Sequence, residues 1–569
     1  MAKFSFQAYT VLYLLLIWSC ASQTTPMGGP KDEEPPTLVR STPVHKQRNF
    51  KGKSIELLFD ELVNLYNPKD EILISPSVGK EVDFKVKKNT VTITPANGWE
   101  GNTTYSISFR QGIKDITESN APVNLRLAFS TGPLIDSLVI QGKVKLALKE
   151  TIPENITVAL YKSDTFNIFE HTPTYFTISN KTGDFSLENI KDGTYRIYAF
   201  DDRNKNLTVE SRTEKYGFLA DPIILNGPTD SLTIPLVNLD SRTPSINNIR
   251  NNGLFTRIKF NKNINSYSLY NNSPTKIINS YGDDQTEIVV YNPKTIKDSL
   301  AITISAIDSV DFRIDTTFYL KSFEAKSIPG DFTLRNTNTK YNLEKKELLQ
   351  VLKLSKPILS INLDSIAIKV DSAKMISFSQ ENFTYDSINK ILILKKIIPN
   401  DSLFRTIEST QTDSVKNKLD PNKIEFRTRT KTTRFKPEII LGYGAIISVE
   451  SDSSKVRNIE IPFVDKDNTG TLLIQTRTDK PHYIIQLLTA GGELVEEKRD
   501  VKSYTFGYLP AQNYRLKVII DNNNNGVWDP GNIFKNQEPE PIFLYQTADK
   551  KYEFPIRANW ELGPLMLIF

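Results

Sequence analysis

Cysteine is almost absent from this 569-residue chain; the single copy is Cys20. A disulfide-stapled fold is thereby excluded, and so is a multi-thiolate metal centre. Histidine is nearly as scarce: His45, His171 and His482 are isolated, and none stands at metal-ligand spacing. There is no Gly-x-Ser-x-Gly and no phosphate-cradling glycine loop, so no catalytic set is expected and the chain reads as a non-enzyme. An excess of one charge is lacking too. Lys and Arg number 71 against 66 Asp and Glu, and a net charge of +5 over this length predicts no nucleic-acid partner. Long apolar runs are missing: Ala8–Trp18 (AYTVLYLLLIW) spans eleven residues, whereas a membrane-crossing helix needs roughly 20. Irregular strand spacing and the lack of paired aromatic girdles argue against an outer-membrane barrel.

What is present begins at the N-terminus. Lys3 and the run Ala8–Trp18 fit the charged and apolar parts of a signal peptide covering residues 1–19. Ile17-Trp18-Ser19-Cys20 follows: an aliphatic residue at −3, a small residue at −1, then cysteine. This resembles the lipobox of bacterial lipoproteins, although Trp18 stands where that family usually has a small residue. The resemblance implies cleavage before Cys20 and acylation of its thiol and new amine. Three acyl chains exceed the roughly two signals that suffice for stable attachment to a lipid bilayer. Residues 20–36 are small, polar and Pro/Gly-rich, the composition of a tether. Some lipoproteins of the Bacteroidota carry an acidic surface-export signal close behind the cysteine. Here Asp32, Glu33 and Glu34 come later, so outer-membrane attachment is expected with the periplasmic face and the cell surface both open.

From Thr37 onward, short alternating runs are separated by turn residues, the pattern of an all-β protein made of sandwiches. In SIELLFDE (54–61) the residues Ile55, Leu57 and Phe59 fall on one face at period two. Over 37–132 the order Ser41-Thr42-Pro43, Phe59-Asp60-Glu61, Ile74-Ser75-Pro76, NTTYSISF (102–109) and FSTG (129–132) resembles the bacterial Ig-like domain. Over 133–240, TGDFSLENIKDGTYRIYAFDDRNKN (182–206) resembles the carboxypeptidase-regulatory-like β-sandwich, a module without an active site of its own. Residues 241–325 and 326–432 read as two further Ig-like units. Leu343–Leu354 is open between helix and strand at this length. Residues 433–569 contain FGYLPAQNYRLKVIIDNNNNGVWDPGN (506–532), which aligns without a gap on the earlier segment. Tyr195 falls on Tyr514, Asp202 on Asp521, Asn204 on Asn523 and Asn206 on Asn525, so the regulatory-like module occurs twice.

Two patterns carry candidate chemistry. Asp521, Asn523, Asn525, the Val527 carbonyl and Asp529, with Gly526 at the sixth position, have the spacing of a calcium loop. Asn532 takes the place of the usual bidentate glutamate, so weak Ca2+ binding is expected, roughly 10⁻⁴–10⁻³ M. An Asn/Asp hairpin capping its own backbone is the alternative. The second pattern is Asp followed by Ser or Thr and a small apolar residue or Thr. It places candidate acceptors at Ser137, Ser231, Ser299, Ser309, Thr316, Ser365, Ser372, Ser387, Ser402 and Ser414. These resemble the O-glycosylation motif of exported Bacteroidota proteins; turn chemistry ahead of a strand is the other reading.

The expectation is therefore a non-catalytic cell-envelope lipoprotein whose tandem sandwiches form a rod-like scaffold for envelope or outer-membrane proteins. One version is an accessory subunit of an outer-membrane assembly such as the BAM barrel-insertion complex. A surface adhesin or carbohydrate-binding lipoprotein is the alternative, but Trp99, Trp528 and Trp560 are scattered in sequence.

Overall fold

The computed structural model describes residues 33–569 apart from breaks at 80, 150, 152, 163–165, 228, 230, 294–298, 322–329, 372, 405, 417–423, 435 and 463–465. For residues 400, 401 and 406–434 only the backbone is described. Cys20, the signal segment and most of the tether lie outside the described residues, as does Ser372.

The alternation read from the sequence is realised as five β-sandwiches in succession. In the first, Leu38–Thr42, Ile55–Phe59, Thr90–Pro95 and Val82–Lys87 form one sheet, and Leu73–Ser75, Thr104–Ser108 and Arg126–Ser130 the other. Ile55, Leu57 and Phe59 are buried between them with Val91, Ile93, Tyr105 and Phe129. Period-two burial follows from the pleat, which sends successive side chains to opposite faces.

The second sandwich and the last share one topology. Leu138–Leu146 pairs antiparallel with Asp184–Ile190 and parallel with Leu232–Leu236. In the last, Thr469–Arg477 pairs antiparallel with Ser503–Pro510 and parallel with Glu561–Ile568. The facing sheets are built on Gly193–Phe200 and Gln512–Ile520, each pairing with strands on both sides. Tyr195 and Tyr514, aligned in sequence, are both fully buried. Each donates its hydroxyl to the carbonyl four residues earlier, Lys191 and Pro510, at 2.9 Å. The sequence repeat is thus a repeat of structure.

The third sandwich pairs Ile246–Asn251, Phe255–Phe260, Glu287–Tyr291 and Ile278–Tyr281 against Ser266–Tyr270, Ser299–Ile307 and Arg313–Lys321. In the fourth, Glu347–Leu354 is a strand with strictly alternating burial, which settles the ambiguous segment. Ile366–Lys369 of this sandwich pairs with Glu438–Leu441, which pairs with Arg457–Glu460. The division expected at 432/433 therefore falls inside the fourth sandwich, whose core continues to Ile461. The strands Thr406–Lys416 and Ile424–Arg434 form a long hairpin between them.

Lysine ammonium groups recur at the junctions. Lys262 of the third sandwich donates to the carbonyls of Asp240 and Arg242 in the connector and pairs with Asp308 at 2.6 Å. Both side chains of this ion pair are essentially sealed from solvent, at 1% and 0% exposure. Lys390 of the fourth donates to Tyr281 and Gly282 carbonyls of the third at 2.6 and 2.7 Å. Lys340 of the fourth reaches the Leu494 carbonyl of the last at 3.0 Å. Ammonium groups suit this role because three donors on one flexible stem can satisfy carbonyls that a neighbouring domain would otherwise bury unpaired.

Two outcomes are expected. Lys262→Ala strands Asp308 as a buried unpaired charge, so urea unfolding should show a loss of about 3–5 kcal/mol; a loss below about 1 kcal/mol would sink the junction argument. Burial pushes the Lys390 ammonium down from 10.5 to about 8. Between those two values the unfolded chain holds the proton more tightly than the folded one, so Lys390's contribution to stability rises with pH across that window. Relative to Lys390→Met, the parent chain should gain stability from pH 8 to 10.5, read from parallel denaturation series.

Candidate functional site: the Asp/Asn loops and the junction they build

The loop singled out for calcium follows the strand Gln512–Ile520. Asp521, only 3% exposed, accepts from the backbone N–H of Asn525 at 3.0 Å and of Gly526 at 2.8 Å. Asn523 Oδ1 accepts from Asn525 N–H and Asn525 Oδ1 from Val527 N–H. The amide groups of Asn523 and Asn525 donate to Asp529 Oδ2 at 2.6 and 2.8 Å. All four predicted side chains therefore converge. The Val527 side chain is exposed and its N–H is tied to Asn525.

The earlier copy is wired the same way. Asp202 accepts from the N–H groups of Asn206 and Leu207, Asn204 Oδ1 from Asn206 N–H, and Asn204 Nδ2 donates to Glu210. Sequence reasoning missed one member of each set. Glu540 accepts from Asn522 and Asp529 N–H; Glu214 accepts from the equivalent Arg203 and Glu210 N–H. Burial pushes the Glu540 carboxyl up, and the charges of Asp529 and Asp521 add to the N–H-opposed shift. Glu214 is raised for the same reasons, burial first, with Asp202 and Glu210 as the repelling charges. Burial likewise raises Asp202. Each loop thus packs several carboxylates together. Among the described residues no group of three His, Cys, Asp or Glu is arranged to hold a metal ion. The loop oxygens that meet N–H groups keep a second lone pair.

The backbone is repeated too. Lys205 and Leu207 have φ of 58° and 61°; their counterparts Asn524 and Gly526 have 56° and 80°. Glycine accepts this region without strain, while leucine does not.

The copies differ by an insertion. From Asp529 to Glu540 the chain runs eleven positions, against four from Glu210 to Glu214. The extra residues dock. Asn532 donates to the Val310 carbonyl at 2.8 Å, Lys535 pairs with Asp311 at 2.6 Å, and Glu538 accepts from Ala220 N–H at 2.8 Å. Phe534 lies 4.7 Å from the Phe312 ring. Trp528 and Ile533 pack with Val310 and Phe312 over Tyr161, Tyr198, Phe200 and Tyr216 of the second sandwich. The last sandwich thus closes back onto the second and third, so the expected open rod is corrected to a closed arrangement. A cleft of roughly 620 Å³ remains where the three meet, lined by Phe169, Arg212, Arg242, Phe312 and Phe534 among others.

The remaining sequence candidates are dispersed. Ser137, Ser231, Ser299, Ser309 and Ser387 are exposed, while Thr316, Ser365 and Ser402 are half-buried. Ser414 lies in the hairpin strand Thr406–Lys416. Some of the preceding aspartates have structural work: Asp308 holds Lys262, and Asp386 accepts from Asn389 N–H. Trp99 packs on Tyr105 and Phe129, and Trp528 donates to the Glu540 carbonyl. Trp560 is half-exposed beneath Arg557.

Comparison with known proteins bears on the first sandwich. Residues 32–131 match the family described as the bacterial Ig-like domain. The chain carries a bacterial Ig-like domain. Its span agrees with the resemblance read over 37–132. No curated protein matches the chain. Solved structures that align with it include BcpA, the major pilin subunit of Bacillus cereus, at 10% identity over 76% of this chain and 99% of that one, with a TM-score of 0.13. The S-layer protein SbsC, domains 1–6, aligns at 10% identity over 92% and 68%, TM-score 0.14. A tetra-tandem repeat from the extending region of a large adhesion protein aligns at 9% over 72% and 99%, TM-score 0.14. Scores this low do not establish a common overall architecture.

The repeated loop yields a reciprocal test. Leu207→Gly should raise stability or leave it unchanged by relieving a left-handed leucine, and Gly526→Leu should cost about 1–2 kcal/mol or more. The added Cβ would also meet the Arg499 guanidinium, which must then shift. Equal losses in thermal melts of both variants would contradict the backbone equivalence.

Proposed function

We propose that this protein is a non-catalytic scaffold of the bacterial cell envelope, anchored to the outer membrane through acylated Cys20 and presenting its sandwiches to envelope proteins. The observation that carries the reading is the docking insertion 530–539, which ties the last sandwich to the second and third. Its polar anchors, Asn532, Lys535 and Glu538, are engaged in holding domains together. The perturbed carboxylates of the two loops have backbone N–H partners that account for their placement. Edge strands and loops then remain as contact surfaces. A more specific version is an accessory subunit of an outer-membrane assembly such as the BAM complex. The carbohydrate-binding alternative asks for coplanar exposed aromatics; of Trp99, Trp528 and Trp560, the first two are packed.

Cys20→Ser should move the chain from the membrane to the soluble fraction, and mass spectrometry of the native N-terminal peptide should find the acyl mass. Retention of Cys20→Ser in the membrane fraction would sink the anchor. Cross-linking and native pull-down through the lipidated chain should recover an outer-membrane barrel protein if the assembly version holds.

Weak calcium binding at Asp521, Asn523, Asn525, the Val527 carbonyl and Asp529 belongs to the same proposal. It is supported by the loop geometry: Asn523 and Asn525 converge on Asp529, and Asp521 lies beneath them, holding the Asn525 and Gly526 N–H groups. Asp521→Ala should lower the melting temperature more in millimolar calcium than in chelator; equal losses exclude the ion. O-glycosylation at the exposed candidates, Ser137, Ser231, Ser299, Ser309 and Ser387, is read from intact mass after expression in the native host.

A further inference from the structure

Between Glu34 and Glu56 the chain has no acidic residue and five basic ones: Arg40, Lys46, Arg48, Lys51 and Lys53. This matches the whole chain's net charge of +5, gathered into one short stretch. The fold puts the stretch on one side of the first sandwich. Leu38–Thr42 is the edge strand of the first sheet, paired with Ile55–Phe59. The chain then crosses to the second sheet and runs along its edge strand Arg126–Ser130. There Lys46 N–H donates to Ala128, Phe50 N–H to Ser130, and Ser130 N–H to Gln47.

The inward residues Ser41, Pro43 and Phe50 are buried, and Phe50 packs on Phe129 at 5.2 Å. The five basic side chains are all exposed. None has an ion-pair or side-chain hydrogen-bond partner among the described residues. Glu56, opposite Thr42 in the register, adjoins the strand, the exposed Glu33 and Glu34 precede it in the chain, and Asp60 is engaged with Thr37. Val39 and Val44, at 61% and 57% exposure, sit in the same edge. No residue of 38–53 is hydrogen-bonded to the second sandwich among the described residues.

We propose that this edge, residues 39–53 of the first sandwich, docks on anionic lipid headgroups beside the anchor. The proposal rests on the reading of Cys20 as the anchored residue. Seventeen peptide units separate Cys20 from Thr37, which caps their separation at about 60 Å and makes the first sandwich the body next to the anchor along the chain. Unpaired Lys and Arg next to a membrane are attracted by anionic headgroups over a Debye length of about 8 Å. Exposed valines among them add apolar contact at the headgroup boundary. A nucleic acid or acidic protein could use the charge, but neither explains the valines or the position next to the anchor.

The test uses the mature chain from residue 20 carrying Cys20→Ser, so that lipid insertion does not mask docking. It should co-sediment with phosphatidylcholine vesicles containing phosphatidylglycerol, not with pure phosphatidylcholine, and release as salt rises. Replacing all five basic residues by Gln should weaken binding at least about tenfold with an unchanged melting curve. Val39→Ser with Val44→Ser should weaken it less. Equal binding to neutral vesicles, no vesicle binding, or retention by the five-Gln variant overturns the proposal. Binding to heparin or DNA without vesicle binding overturns it in favour of a general polyanion site. The native N-terminal peptide separates the two readings: an unmodified Cys20 sinks the anchor even where the vesicle result stands.

Discussion

The second sandwich has a sheet that is apolar on both faces, and the arrangement of the other domains follows from the need to cover it. Its inner face, with Val158, Leu160, Tyr195 and Ile197, packs in the sandwich core. Its outer face presents Ala159, Tyr161, Tyr198, Phe200, Tyr216 and Phe218. Six such side chains left in water would form a patch of the kind that drives association. The sandwich's own Phe166, Ile168, Phe169 and Val209 cover part of it, and Val310 and Phe312 from the third sandwich, with Trp528 and Ile533 from the last, cover more. Two domains far apart in sequence thus meet on one surface. The aromatic partners bring large buried area with few rotatable bonds, so the closure costs little side-chain entropy.

Polar interactions then fix the geometry that burial leaves undirected. Apolar contact has no preferred angle, whereas an ammonium bound to two named carbonyls has one. Lys262 and Lys390 each satisfy two backbone carbonyls across a junction. Asn532 does the same for Val310 where the last sandwich closes. Loss of any one leaves buried acceptors unpaired, which is more costly than the net worth of the bond itself. This asymmetry favours the arrangement in which each of these carbonyls keeps its donor.

Much of this was legible in the sequence, for physical reasons. Period-two alternation is a direct consequence of the pleat, so SIELLFDE and its neighbours announced strands. The ungapped match of DGTYRIYAFDDRNKN to AQNYRLKVIIDNNNN announced a repeated sandwich because the buried tyrosine and the loop aspartate both have local roles. The doubly covered sheet went unread: TVALY at 157–161 is apolar with little alternation, as strands buried on both faces are, but five residues do not say what covers the second face. Illegible were the features set by residues far apart. Glu214 and Glu540 complete equivalent loops, but an insertion shifts one relative to the other and hides the match. The fourth sandwich takes strands from both sides of the Thr406–Arg434 hairpin, so composition placed its boundary too early. The buried pair of Lys262 and Asp308 looks in sequence like two ordinary surface charges.

The insertion gives the two copies of the module different parts in the closure. In the second sandwich the loop closes directly from Glu210 to Glu214, and the sheet beside it is the surface to be covered. In the last, the same loop is lengthened between Asp529 and Glu540, and the added residues form the cover. One copy offers the surface and the other supplies the cover, and the Asp/Asn network is present in both as the base of the loop. A rigid base matters because a docking segment held at both ends loses less entropy on binding than a free one. Glu540 ties the two ends of the inserted segment together: its carboxylate accepts from Asp529 and Asn522 N–H, and its own N–H donates to the Asp529 carbonyl. Asp521 holds the loop ahead of them through Asn525 and Gly526 N–H. The loop chemistry that suggested a cation site therefore has a mechanical consequence of its own: it presents Asn532 through Lys535 in the conformation that meets Val310 and Asp311.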